Sequence, residues 1–313
     1  MVATIVTAVA LVLWGRYRGV ERIATLIALS IGIGAVAAAL STGPDAGDVV
    51  SGLAPGTPDD LDLAEILPWL GFASAGAAGL VWYSYWVRAK GLGAAGGSAD
   101  EPIDPVELDA EDRGRLRGWL RQMTLDTCVA VGGTFVVMIS FMILGAELLR
   151  PEGIVPDEAD VAADLTNLFE GVWGNFGFWF LLVGIYIGFW DTVLTDQDGW
   201  GRMFADGTKS LAKRAGLAGR WLDEVFLGRL YLVVLLALIP IAVFLIWGEP
   251  VAILKLAGTI EAIHIPIVAA LTLYLNRRRL PKDLQASTAV MAVVALSSLA
   301  FAVFAGYYIT VEY

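Results

Sequence analysis

The chain of 313 residues is 57% hydrophobic, with a mean hydropathy of +0.69, one cysteine, one histidine and a net charge of −11. A soluble domain of this length would not need so much apolar sequence, so the composition favours a membrane protein. The acidic balance offers no basic surface for nucleic acid, and a single cysteine excludes an intrachain disulfide.

Long apolar runs predict an all-α polytopic membrane protein, with about eight transmembrane helices in a single transmembrane domain, 1–313. An apolar helix of about 20 residues crosses a hydrocarbon core of roughly 30 Å. The predicted spans are about 1–15, 23–43, 66–87, 124–148, 171–193, 227–248, 251–276 and 286–311. After the third span, segment 88–116 is rich in glycine and then acidic with two prolines, which predicts a flexible cytoplasmic linker.

The basic residues predict the orientation of these spans. Most of the 21 lysines and arginines lie in alternate loops, beginning with the first. By the positive-inside rule these loops face the cytoplasm. With eight spans, both termini of the chain are then extracellular, and we expect a multi-pass protein of the plasma membrane whose first partner is the lipid bilayer.

The third predicted span changes composition at its middle. Residues 71–79 are nearly all glycine, alanine and serine, whereas residues 82–86 are mostly aromatic. One interpretation is a closely packed helix with an aromatic anchor at the cytoplasmic interface. The other is a helix that is unwound near Gly76 to Gly79, where backbone carbonyls face a transported ion. Composition alone leaves both interpretations open.

The seventh predicted span carries the only histidine, in the stretch GTIEAIHIPIV at 258–268. Glu261 and His264 are three positions apart and therefore share one helix face. Ionisable groups at membrane depth are costly, so the pair indicates a cation site or a proton relay. It could equally be a hydrogen-bonded structural pair, or Glu261 could meet water at the outer interface. Pro266 is expected to free a carbonyl one turn back and loosen the helix.

Three segments, in this order and with this topology, resemble the natural resistance-associated macrophage protein (Nramp) family of divalent-metal transporters. GRYRGVER at 15–22 looks like the connection between that family's fourth and fifth helices, and LAPGTP at 53–58 is similar to its loop before helix six. Residues 263–284 resemble the end of its tenth helix and the segment that follows. The resemblance covers helices four to eleven and implies a LeuT-like transporter fold that lacks the first three helices.

The resemblance implies a secondary transporter of divalent metal cations, of the manganese and iron type, and not an enzyme. It implies no tightly bound cofactor, since the cation is the substrate, and coupling to protons is one option. The family's first helix carries an Asp-Pro-Gly-Asn motif that would lie upstream of Met1. We therefore expect a chain that is truncated or divergent at its N-terminus, with a missing N-terminal segment as a further partner.

The implied metal site departs from the family pattern in the sixth helix. Where the family has Met-Pro-His, residues 80–82 read Leu-Val-Trp, and leucine has no donor atom for a soft metal. The carbonyl groups of Ala77, Ala78 and, through its backbone alone, Leu80 could still coordinate a harder cation such as Mg²⁺.

Glu261 and His264 are expected to face an unwound stretch at 75–80 and to bind a cation or relay protons. Two other classes stay open at this point. One is a membrane scaffold that transports nothing, or a degenerate fragment. The other is an intramembrane metalloenzyme, which would need more ligands than a chain with one histidine offers.

Overall fold

The computed structural model describes residues 2–14, 18–54, 56, 63–72, 76–89, 106–154 and 161–312. Within these ranges the chain forms helices and no strand, because only a helix or a closed barrel satisfies the backbone inside a membrane. The helices are α1 (Val2–Trp14), α2 (Arg18–Ser41), α3 (Ala46–Gly52), α4 (Leu63–Phe72), α5 (Gly76–Ala89), α6 (Ala110–Leu144), α7 (Val161–Trp173), α8 (Asn175–Arg214), α9 (Glu224–Val233), α10 (Ile239–Trp247), α11 (Pro250–Arg279) and α12 (Thr288–Glu312).

Five helical segments are long and apolar enough to cross a membrane, judged by length and composition. They are Ala110–Glu152, Asn175–Arg214, Glu224–Trp247, Pro250–Arg279 and Thr288–Thr310. Val2–Trp14 and Thr25–Ser41 are shorter apolar helices. The prediction of an all-α polytopic membrane protein is confirmed, and the number of spans and their exact limits stay a prediction.

Several helices differ in extent from the predicted spans. The third span consists of two helices, α4 and α5, and residues 73–75 lie outside the described residues. Helix α6 begins at Ala110, so residues 110–116 of the predicted linker are helical, whereas 90–105 are outside the description. Helix α8 has 40 residues and is about 60 Å long, so it continues well beyond the predicted end of its span.

The chain divides into two compact units. Unit 1 comprises Met1–Gly56 and Gly132–Val251, and unit 2 comprises Thr57–Val131 and Ala252–Tyr313. Helix α6 contributes residues to both units, while α4, α5 and α12 belong to unit 2.

Unit 1 has an apolar core in which Phe169 of α7 is fully buried. The ring of Phe169 lies 5.6 Å from that of Trp173 in an edge-on arrangement and 6.1 Å from that of Phe180. Helix α7 gives way to α8 at Gly174, whose φ of 62° is disfavoured for other residues. A Cβ at Gly177 would overlap the carbonyl oxygen of Phe169. Glycine at these two positions therefore lets α7 and α8 pack closely.

Unit 1 also contains the contact between α8 and α9. Helix α9 begins at a cap in which the side chain of Asp223 accepts a hydrogen bond from the N–H of Phe226. It continues into a π-turn at Val234–Leu238 before α10. The side-chain amide of Gln197, on α8, donates to the carbonyl of Leu236 in that π-turn.

In unit 2, α11 contacts α4, α5 and α12, and α4 also packs against α12. Helix α11 runs through Pro266 without interruption, so the expected loosening does not break the helix. The hydroxyl of Ser298, on α12, donates to the carbonyl of Pro266 at 3.2 Å. At one end of the unit, Arg117 of α6 donates to Asp283, which lies between α11 and α12, at 2.6 Å.

Candidate cation site

The candidate site lies within unit 2, where α4 approaches α11 at two facing glycines. Gly71 and Gly258 are both buried. A Cβ at Gly71 would overlap the carbonyl oxygen of Gly258, and a Cβ at Gly258 would overlap that of Pro68. Backbones approach this closely only where neither residue has a side chain. The contact fixes α4 against the turn of α11 that precedes Glu261.

Helix α4 ends at Phe72 and helix α5 begins at Gly76. The first turn of α5 contacts α11. The first four N–H groups of a helix have no partner within the helix. One of them, the N–H of Ala78, donates to Oε1 of Glu261 at 3.0 Å. A carboxylate is stabilised at this end of a helix because the backbone dipoles place partial positive charge there. Glu261 of α11 therefore caps α5 across a sequence separation of 183 residues.

His264 lies beside Glu261 on the same helix face. Its Nδ1 is 4.0 Å from Oε2 of Glu261, which is too long for a hydrogen bond and becomes an ion pair only when the imidazole is protonated. The side chain of Glu261 is 15% exposed, whereas that of His264 is 57% exposed. The carboxylate is thus held by the protein, and the imidazole is accessible.

The structure corrects one expectation at this site. Residues 76–80 were expected to belong to an unwound stretch, but they are helical and form the beginning of α5. Ala and Leu favour a helix, which is consistent with this conformation. Residues 73–75, between the two helices, lie outside the described residues.

The predicted carbonyl ligands therefore have a different geometry from that expected. Ala77 and Ala78 lie in the first turn of α5, where carbonyl groups accept hydrogen bonds from residues four positions later. The group that Ala78 directs to Glu261 is its N–H. Leu80 is one turn inside α5, and its side chain is 62% exposed. A role of these three residues in binding metal stays a prediction.

Among the described residues, no group of three or more His, Cys, Asp or Glu side chains is arranged to hold a metal ion. The site therefore brings together two of the predicted residues, Glu261 and His264, and adds the N–H of Ala78. Any cation bound here would take its remaining ligands from water, from backbone carbonyls or from parts of the protein outside these residues.

The sequence alone did not predict two polar contacts in unit 2. The hydroxyl of Tyr83, on α5, donates to Oδ2 of Asp126 on α6 at 2.8 Å. The sequence places Tyr83 in the aromatic run of the third span, but nothing in it indicates the partner. Asp283 accepts a hydrogen bond from Arg117 and lies 3.7 Å from Arg113. The Arg117 hydrogen bond, assisted by the positive charges of both arginines, holds the pKa of Asp283 below its usual range.

Comparison with known proteins identifies the family. No curated protein sequence and no solved structure matches this chain. A family model described as "Natural resistance-associated macrophage protein-like" matches residues 1–312, which is nearly the whole sequence. The chain therefore belongs to the Nramp family, whose members transport metal ions.

Proposed function

We propose that this chain transports a hard divalent cation and that Glu261 is the carboxylate that receives the ion. One observation carries the proposal. The Glu261 carboxylate is largely shielded inside the helical bundle, yet among the described residues it accepts a single hydrogen bond, from the first turn of α5, which engages one of its two oxygens. The other oxygen, Oε2, faces the accessible imidazole of His264 and is available to a cation.

The side chains at this site favour a hard cation over a soft one. A thioether would select transition metals, and the residue that matches the family's methionine is Leu80, which supplies none. Mg²⁺ prefers oxygen ligands, keeps several of its waters and is commonly held by one or two carboxylates. Glu261 with a partly hydrated ion fits these requirements better than Mn²⁺ or Fe²⁺ held by sulfur.

Release of the cation is favoured by the same geometry. The positive end of α5 offsets part of the charge of Glu261, which weakens its attraction for a cation. A protonated His264 would also compete with the cation for Oε2, since both are positive. The hydrogen bond from Ala78 to Glu261 joins α5 to α11, so it can break when these helices move apart during alternating access.

Uptake into proteoliposomes tests the proposal. The purified chain would be reconstituted and the uptake of Mg²⁺, Mn²⁺ and Fe²⁺ measured separately. We expect Mg²⁺ to be taken up, and we expect Glu261→Gln to lower its uptake at least about ten-fold, because a neutral amide loses the charge-assisted interaction with the ion. The amide oxygen can still accept the hydrogen bond from Ala78, so the helix cap is kept.

Glu249→Gln is the matched control, because Glu249 is an exposed carboxylate between α10 and α11 that does not belong to the site. Uptake should be unchanged in this variant. Equal uptake by the wild type and Glu261→Gln would show that the site does not receive the ion. Absence of uptake from correctly folded, inserted protein would favour the scaffold interpretation, and stronger uptake of Mn²⁺ or Fe²⁺ would overturn the assignment to a hard cation.

A further inference from the structure

A second polar region lies in unit 1, inside a cavity of about 380 Å³ between α1, α8 and α9. It is separate from the Glu261 site, and nothing said of it depends on the transport proposal. The lining includes exposed apolar residues, Leu13 and Val225, at 40% and 60% exposure. It also includes an amide and side chains of both charges. A cavity with this mixture suits an amphipathic occupant.

Gln197 is the most informative residue of the lining. Its side chain is only 4% exposed, and its Nε2 donates to the carbonyl of Leu236 at 3.1 Å. That hydrogen bond fixes the orientation of the amide, since only the nitrogen can donate. The amide oxygen, Oε1, accepts no hydrogen bond from any described residue. Buried acceptors are normally paired, and this oxygen is fully buried, so an N–H or O–H donor in the cavity pairs with it when the lining shifts on binding.

The charged residues of the lining include both signs. Asp198, whose side chain is 8% exposed, pairs with Arg202 at 3.0 Å, one helical turn further along α8. Glu224, at the start of α9, accepts from Lys209 at 3.2 Å. Arg229 is exposed at the cavity and makes no ion pair with the residues that the structure describes. An anion alone would meet two carboxylates here, whereas a zwitterion would find a partner for each of its charges.

The position of the cavity along α9 matches that of a lipid head group. Arg220 and Trp221, which are exposed and directly precede α9, are the residue types found at the membrane interface. Glu224 to Leu232 extends about 12 Å inward from this level. The charged residues therefore lie at head-group depth, and the buried Leu232 lies at the depth of the acyl chains. The basic residues at the end of α8, Lys213 and Arg214, assign this end to the cytoplasmic leaflet.

We propose that the cavity binds the head group of an aminophospholipid from the cytoplasmic leaflet. The phosphodiester lies against the guanidinium of Arg229. The primary ammonium donates hydrogen bonds to Oε1 of Gln197 and to the carboxylate of Glu224. The acyl chains leave the cavity past Leu13 and Val225. In this arrangement the unsatisfied amide oxygen of Gln197 gains a donor, and the negative and positive side chains of the lining each pair with an opposite charge of the lipid.

Lipid retention by the purified full-length chain tests this assignment. The protein would be exchanged into detergent with equal amounts of phosphatidylethanolamine, phosphatidylcholine and phosphatidylglycerol, and the retained lipid quantified by native mass spectrometry. Phosphatidylcholine is the decisive comparison, because it has the same charges but its quaternary ammonium has no N–H. We expect phosphatidylethanolamine to be retained about ten-fold over phosphatidylcholine, the factor given by one hydrogen bond to a charged group.

Two arginine variants complete the test. Arg229→Gln should lower the retention of phosphatidylethanolamine about ten-fold, because it removes the partner of the phosphate. Arg220→Gln is the matched control, since Arg220 is an exposed arginine at the same interface but outside the cavity. Both arginines are exposed, so neither variant disturbs a packed core.

Three results would overturn the proposal. Equal retention of phosphatidylethanolamine and phosphatidylcholine would show that no donor is recognised. Preferential retention of phosphatidylglycerol would make the cavity an anion site. Equal losses in Arg229→Gln and Arg220→Gln would show that the lipid responds to the general positive charge of this end of the protein rather than to the cavity.

Discussion

The two units stabilise a shielded carboxylate in different ways. In unit 1, the shielded Asp198 is paired within its own helix, with Arg202 four residues later. In unit 2, the shielded Glu261 depends on the first turn of another helix, which is far away in sequence. A pair within one helix persists whenever that helix forms, whereas a pair between helices breaks when either of them moves. The tertiary pair is therefore the better candidate for a site that changes during a transport cycle.

The tertiary pair lies one turn from the close contact of α4 and α11 at their glycines, so Gly258→Ala is the strongest way to disturb it. The new methyl group would overlap the carbonyl of Pro68 and crowd the ring of Phe72. Overpacking of this kind costs about 1–3 kcal/mol and more where the obstacle is backbone. We expect a clear fall in the midpoint of thermal unfolding, measured by fluorescence-detected size-exclusion chromatography.

Gly306→Ala provides the control for this prediction. Gly306 lies in α12, within the same unit, and a Cβ there would meet no atom within 4 Å. The substitution should leave the midpoint unchanged or raise it slightly, because alanine favours a helix more than glycine does. A Gly258→Ala midpoint equal to that of Gly306→Ala would contradict the close approach of α4 and α11.

Two substitutions at Glu261 separate its structural role from its proposed role in transport. Glu261→Leu leaves the N–H of Ala78 without an acceptor and should cost about 1–3 kcal/mol of stability. Glu261→Gln keeps the acceptor and should cost less, while still abolishing the charge. We therefore expect a lower unfolding midpoint for Glu261→Leu than for Glu261→Gln, although both should lower cation uptake. Equal midpoints would mean that the hydrogen bond to Ala78 does not stabilise the protein.

The sequence predicts the long apolar helices well because their signal is local. The last predicted span, 286–311, corresponds to α12, Thr288–Glu312, and the span 251–276 lies within α11, Pro250–Arg279. The extension of α8 beyond residue 193 was missed because its residues become polar. Polarity ends a membrane crossing but does not end a helix, and the pair of Asp198 and Arg202 supports that helix further on.

The candidate site could be predicted only in part, for a physical reason. Glu261 and His264 stand out in an apolar run, so both can be selected as candidates without a structure. The N–H of Ala78 is not visible, because any backbone amide can donate and only the folded chain selects this one. The small residues of the third span left a packed helix and an unwound stretch both open, and composition could not show that 76–80 are helical.

The smallest expected effect concerns Asp283, whose contact joins α6 to the segment between α11 and α12. Because Arg117 and Arg113 lower the pKa of Asp283, the contact stabilises the folded state above the unfolded pKa of about 4 and is lost as the pH falls through the lowered folded value. The midpoint difference between wild type and Asp283→Asn should therefore be present at pH 7 and shrink below pH 4. High salt should reduce it too, because the three side chains are partly exposed. Glu107→Gln, at an exposed carboxylate before α6, should show no such difference. A difference for Asp283→Asn that grows as the pH falls would reverse the sign of this linkage and contradict the ion pair.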